Sequence, residues 1–271
     1  MNILKNKIML VISLLLIGAL IFVVTSKKGD IQLISVAEAK TQNKLDKLPD
    51  FSQINDVKEK KEQFFNTLYP IIKEENKHVL KLRQVILLLE SVPEDELTSK
   101  QKVWLNKVAT HYKISSEYGV DNFFTSLLER VDVIPPSLAL TQAAIESGWG
   151  TSRFSKKGNN LFGQWCFSKG CGIVPSSRDS EKVHEVAKFA SVNLAVRAYI
   201  KNLNTNAAYI ELRKMRSKLR ENEEDITGLV LAKTLDRYSE EGQHYVTKVS
   251  KFIDQNKLQR FTNEFNESIA L

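Results

Sequence analysis

The stretch from Pro135 to Gly148, P-P-S-L-A-L-T-Q-A-A-I-E-S-G, constrains the fold of this chain most tightly. Pro135 and Pro136 can open a helix, because a fixed φ and a missing N–H cost little in a first turn, and Gly148 can close it. Between them Leu138, Ala139, Leu140, Ala143, Ala144 and Ile145 are apolar almost all round. A helix of that kind belongs inside the protein, with other elements covering it. Glu146 is its anomaly. In the last turn of a buried helix a carboxylate meets the negative end of the helix dipole and loses water, and both effects raise its pKa. A carboxyl held partly protonated near neutral pH is what a general acid requires, with Trp149 and Phe154 as aromatic neighbours. The residues alone also fit a Glu paired to a buried Arg or Lys, or one reaching solvent at the helix end.

A-A-I-E-S-G-W-G-T-S, followed by G-N-N-L-F-G, closely resembles the signature of bacterial peptidoglycan N-acetylglucosaminidases of the flagellar-rod and autolysin type, glycoside hydrolase family 73. L-L-E-R-V-D-V-I-P-P-S and the later N-L-N-T-N-A-A-Y resemble the Bax-type members found in Gram-negative bacteria. The resemblance runs from Leu127 to Phe261. It implies a mainly α, lysozyme-like α+β catalytic domain with a small β lobe, a glycoside hydrolase acting on peptidoglycan glycan strands, and Glu146 as the acid.

Ahead of this region, Lys5 and Lys7 precede an unbroken apolar run from Ile8 to Val24. That pattern is an export signal, long for a signal-peptide core and slightly short for a spanning helix, so a cleaved leader and an uncleaved membrane anchor both fit. Ala37-Glu38-Ala39 has the form of a cleavage site but lies far beyond the run. An anchor is the favoured expectation, placing the protein on the periplasmic face of the inner membrane; a cleaved leader would leave it free in the periplasm. The expected organisation is a leader over 1–25, a polar tether over 26–50, a helical extension over 51–126 and the glucosaminidase domain over 127–271. A formal net charge of +7 suits polyanions. For an exported chain these are cell-wall polymer and membrane surface, not nucleic acid. A monomer without a cofactor is expected.

Helical stripes carry Phe64, Phe65 and Leu68, then Val79, Leu82, Val85, Ile86 and Leu89, with Pro70 expected to start the second helix. Thr98 or Ser99 can cap a third and Asp121 a fourth. Four more helices are expected over Val192–Leu203, Ala207–Leu219, Asp225–Leu235 and Tyr245–Asn256. Cys166 and Cys171 are the only cysteines. In an exported protein a disulfide closing their small loop is the simplest account. No metal is expected, since two cysteines without nearby histidines do not complete a tetrahedral site. His184 to Phe189 alternates as a strand does, which puts Glu185, Ala187 and Phe189 on one face. No second His follows His184 at helical spacing, so it is not a zinc-protease ligand.

Glycoside hydrolysis needs an acid together with a stabilising anion or a neighbouring group. The resemblance implies a β-lobe glutamate for the second part: Glu185 leads, with Glu181 and Asp179 behind it. The spacing between Cys171 and Phe189 departs from the family pattern, so Glu185 rests on its local alternation. In the other possibility the substrate's own N-acetyl oxygen attacks and a tyrosine orients it. By resemblance that tyrosine is Tyr245, with Tyr238 a weaker candidate. Trp149, Phe162 and Trp165 offer faces for pyranose rings, and Asn160 and Gln164 offer amides for sugar hydroxyls. Two rival readings are a lytic transglycosylase and a non-catalytic wall-binding module.

Overall fold

A computed structural model describes residues 31–37, 43–115, 117–176 and 184–270. Its longest element, α1 (Val57–Glu90), begins at an Asp56 cap whose carboxylate accepts from the Glu59 amide at 2.7 Å. The helix does not restart at Pro70 as expected; Pro70 lies inside it. Proline there forfeits one intrahelical hydrogen bond. The buried side chains on both sides of it, Phe65, Leu68, Ile71 and Ile72, hold the two halves in one core.

Helix α2 (Ser99–His111) is capped by Thr98, one of the two expected caps, in a capping box in which Thr98 and Gln101 satisfy each other's backbone amides. Helix α3 (Phe123–Arg130) starts from a left-handed Asn122 instead of an Asp121 cap. Helix α4 (Pro136–Ser147) has the proline start and the left-handed Gly148 end, φ 55°, that its sequence implies. Ten of its 12 residues are buried. They are covered by α1, α8 (Gly228–Ala232), α9 (Gln243–Gln255) and α10 (Gln259–Ala270). Helix α10, with Phe261 and Phe265 buried, was not among the expected helices.

A short helix α5 (Arg153–Gly158) leads into a small antiparallel sheet of order β1-β3-β2, formed by β1 (Trp165–Cys166), β2 (Gly172–Ile173) and β3 (Glu185–Ala187). Trp165 faces Val186 and Cys166 faces Glu185, while Gly172 faces Ala187. Helices α6 (Val192–Thr205) and α7 (Ile210–Glu221) follow, joined by a 3-10 turn over Ala207–Tyr209. The result is mainly helical with a small β lobe, as expected.

The start of α4 is fixed from several sides. The Asn76 amide on α1 clamps Ile134, donating to its carbonyl at 2.8 Å and accepting from its N–H at 3.0 Å. Asn204 donates to the Asp132 carbonyl at 2.8 Å. The buried Asp132 carboxylate takes a two-pronged pair from Arg220, at 2.7 and 3.0 Å, with Arg216 and Arg83 also within ion-pair range. Burial is the largest influence on Asp132 and acts upward, but Arg216, Arg220 and Arg83 together hold its carboxyl below the ordinary value.

The stretch expected to be a tether is instead laid against the domain wherever it is described. Ile31, Leu33, Ile34 and Val36 pack on the core, and the Trp104 indole donates to the Ile34 carbonyl at 2.7 Å. Asn193 grips the Leu45 amide at 2.9 Å and the Asn43 carbonyl at 3.0 Å. The Asn159 amide bridges the Asp46 and Phe189 carbonyls at 2.9 and 3.0 Å. Among the described residues no helix is long and apolar enough to cross a membrane. The apolar run Ile8–Val24, Glu38-Ala39 of the candidate cleavage site, and Asp179 and Glu181 lie outside the described residues.

Candidate active site

Glu146 is half-buried in the last turn of α4. Loss of water pushes its carboxyl above the usual carboxylate range, against a downward pull from the Tyr245 hydroxyl and Lys248, while Glu241 adds to the rise. Tyr245, in the first turn of α9, donates its hydroxyl to Glu146 Oε1 at 2.8 Å. The same hydroxyl accepts from Gln142 Nε2 at 3.0 Å, and Gln142 Oε1 accepts from the Tyr199 hydroxyl at 2.6 Å. The relay therefore runs one way. With its lone pair engaged by the Gln142 amide, the Tyr245 proton is directed at Glu146.

Aromatic stacking builds the walls of the site. Tyr238 lies parallel to Tyr245 with ring centres 5.3 Å apart and 10° between planes, and Tyr209 stands 5.8 Å beyond Tyr238. The Tyr238 hydroxyl donates to the Phe162 carbonyl at 3.1 Å, tying this ladder to the entrance of the β lobe. Gly163 stands beside Glu146 Oε2, where an added Cβ would lie 3.7 Å from that oxygen. One carboxylate oxygen is thus held by the tyrosine, and the other is bordered by a residue without a side chain.

The sequence model of the Glucosaminidase family, described as mannosyl-glycoprotein endo-beta-N-acetylglucosaminidase, matches residues 122–258, about half of the chain. The chain is 34% identical to Protein bax of Escherichia coli (strain K12) over 199 residues, covering 73% of this chain and 70% of that one. The chain belongs to the glucosaminidase family. The exo-glucosaminidase LytG of Bacillus subtilis (strain 168) is 31% identical over 94 residues, 35% of this chain and 29% of LytG. The catalytic domain of the autolysin Auto from Listeria monocytogenes matches at a TM-score of 0.36 and 22% identity, over 64% of this chain and 92% of that one.

Within this glucosaminidase domain the structure brings Glu146, Tyr245 and Tyr238 together. It places several of the expected sugar contacts elsewhere. Phe162 is a core residue, 3% exposed and stacked on Tyr199 with ring centres 3.9 Å apart. Asn160 is 2% exposed and spends its amide on the loop, donating to the Gln164 and Ala187 carbonyls and accepting from the Phe162 and Gln164 amides. The Gln164 side chain donates to the Ala195 carbonyl at 3.1 Å. Trp149 packs edge-on against Phe64 and Phe65 and lies beside Phe252, with the Lys61 ammonium over its ring. Trp165 is 50% exposed on the β lobe, with the His184 ring edge-on to it at 4.5 Å.

Glu185 is buried in the β lobe. Its two oxygens accept from the Gly170 amide at 3.0 Å, within the loop closed by the Cys166–Cys171 disulfide, and from the Gly172 amide at 2.8 Å just beyond it. Cys166, Cys171 and Glu185 are the one described group with metal-ligand proximity, but joined sulfurs are not thiolates and the set offers a cation one carboxylate.

Sequence reasoning missed Gln142 and Tyr199. Gln142 had a readable signal, a polar residue four positions before Glu146 and so on the same face of a buried helix. Tyr199 had none, since a tyrosine on a helix is ordinary core material until its hydroxyl finds a partner.

Proposed function

We propose that the protein hydrolyses β-1,4 glycosidic bonds of peptidoglycan at N-acetylglucosamine, with Glu146 as general acid. The observation that carries this reading is a carboxyl raised by burial at the end of α4, with one oxygen held by Tyr245 and the other beside Gly163. Protonated, Glu146 gives its proton to the leaving glycosidic oxygen while positive charge grows on the sugar ring. The helix end, with its partial negative charge, favours keeping that proton until transfer.

For the second group, the geometry favours assistance by the substrate's acetamido oxygen over attack or base action by Glu185. Both Glu185 oxygens are engaged by backbone amides of its own lobe, which suits an anchor that shapes the lip carrying Trp165. Tyr245, buried with its hydroxyl engaged by Glu146 and Gln142, serves the acetamido route by holding the acid in place. In the runner-up reading Glu185 acts as a stabilising anion across the cleft. Glu185→Gln and Tyr245→Phe separate the two. Acetamido assistance predicts the larger loss of turnover in Tyr245→Phe, and a loss of orders of magnitude in Glu185→Gln alone selects the runner-up.

The acid assignment is tested by Glu146→Gln in purified protein. Turnover on wall glycan should fall about 10²–10⁴-fold while melting temperature and glycan binding persist. Wild-type turnover in that variant would remove Glu146 from the chemistry. Product analysis addresses the linkage: free N-acetylglucosamine reducing ends indicate a glucosaminidase, and anhydro-muramyl ends a transglycosylase. Export to the cell wall fits both the substrate and the disulfide. A leader or membrane anchor over Ile8–Val24 and action as a monomer belong to the same proposal.

A further inference from the structure

Beyond the outer end of the tyrosine ladder lies a groove of about 310 Å³. Ala207, Ala208, Ile210, Glu211 and Lys214 line it from one stretch of chain, and Asp236 and Arg237 from another. The two stretches are tied to the acid site by chain continuity. Tyr209 sits between Ala208 and Ile210, and Tyr238 directly follows Arg237. These two rings face each other at 5.8 Å, and Tyr238 stacks on the tyrosine that touches Glu146. The groove is therefore built on the chain segments that carry the outer two rings of the ladder leading to Glu146.

Its chemistry differs from that of a sugar subsite. The groove presents an exposed apolar side chain, Ile210 at 38%, between charges of both signs. Lys214 and Glu211 form an exposed pair at 3.2 Å. Asp236 and Arg237 are exposed, and their side chains have no ion pair or hydrogen bond among the described residues. Neutral sugar rings call for aromatic faces and amides, and a uniformly anionic polymer calls for cations alone. Cations, carboxylates and an apolar side chain together complement a short peptide that carries carboxylates, an amine and small side chains.

We infer that this groove binds the peptide stem attached to the glycan, so that the enzyme reads the stem next to the bond it cuts. The inference rests on the proposed glycan hydrolysis. Arg237 and Lys214 take stem carboxylates, Asp236 and Glu211 take its amine, and Ile210 packs on its small side chains.

The test compares two polymers with the full-length enzyme: glycan strands bearing stems, and the same strands stripped of stems by an amidase. Release of reducing ends gives kcat and KM for each. The variant Asp236→Asn/Arg237→Gln should lose about tenfold in kcat/KM on stem-bearing strands, the size expected for losing a charge-assisted contact, and lose it through KM. Its kcat/KM on stripped strands should stay at the wild-type value, and Arg237→Lys should retain most of the preference for stems. An equal loss on both polymers, or no loss on either, overturns the stem assignment. If the wild-type enzyme releases no reducing ends from either polymer, the proposed hydrolysis itself falls, and the stem assignment with it.

Discussion

Replacing Tyr245 by Phe removes one oxygen that serves two partners. It donates to Glu146 Oε1 at 2.8 Å and accepts from the buried Gln142 amide at 3.0 Å. A hydrogen bond to a charged group contributes about 1.5–3 kcal/mol. Because that bond stabilises the ionised carboxylate, removing the donor should raise the already elevated Glu146 pKa further. The sign follows from the role. A general acid must be protonated, so activity is lost as pH rises through its pKa, and raising that pKa moves the alkaline limb of kcat/KM to higher pH by the same amount. Measuring initial rates of reducing-end release on solubilised glycan across pH, for wild type and variant, reads this limb directly. The variant should also unfold about 1–3 kcal/mol more easily, because the Gln142 N–H is left buried without its acceptor. An alkaline limb that stays in place, or moves to lower pH, would show that the Tyr245 hydroxyl does not hold ionised Glu146 in solution.

Other expectations follow from the packing. Asp132→Ala strips a buried carboxylate from the buried Arg216, the half-buried Arg83 and the more exposed Arg220, and should cost about 3–5 kcal/mol in denaturant unfolding. Because the folded-state pKa of Asp132 is depressed, its contribution is complete above the unfolded value of about 3.9 and is lost as pH falls through the folded value. Asp132→Asn should therefore flatten the acid side of a stability profile. A Cβ at Gly228 would lie 2.3 Å from Ser137 Oγ and 2.9 Å from the Leu138 amide nitrogen, where α8 meets α4, so Gly228→Ala should cost about 1–3 kcal/mol by thermal or chemical melting. Thiol titration of protein made in an oxidising compartment should find no reactive cysteine until a reductant opens the Cys166–Cys171 bond.

Much of this architecture can be read from local sequence, because its causes are local. The proline start, apolar surround and glycine end of α4 are set within one stretch, and so is the Thr98–Gln101 capping box. Pro70 misleads because its penalty is local while the compensation comes from side chains that the rest of the fold covers. The site divides in the same way. Glu146 is legible because a carboxyl is out of place among those neighbours. Asn160 and Phe162 look like sugar contacts because amides and aromatics serve sugars and cores alike; only folding shows that the Asn160 amide is consumed by its own loop and that Phe162 lies against Tyr199. The Gln142–Tyr245 contact joins residues 103 positions apart, which no local pattern encodes.

The segment ahead of α1 changes where the working unit begins. Asn159 stands at the entrance to the β lobe and Phe189 at its exit, and the amide joining them also holds the carbonyl of Asp46. A fragment trimmed to the family match, beginning at residue 122, would retain every residue proposed for chemistry. It would lack Asn76, which clamps the lead-in to α4, and the strand of chain that closes the root of the β lobe. Even a cut at residue 51 would leave the Asn193 and Asn159 amides facing water in place of Leu45 and Asp46. The smallest fragment that keeps the site intact is therefore set by which backbone groups a cut would orphan, and it starts well ahead of residue 122, where the match to the family's sequence model begins.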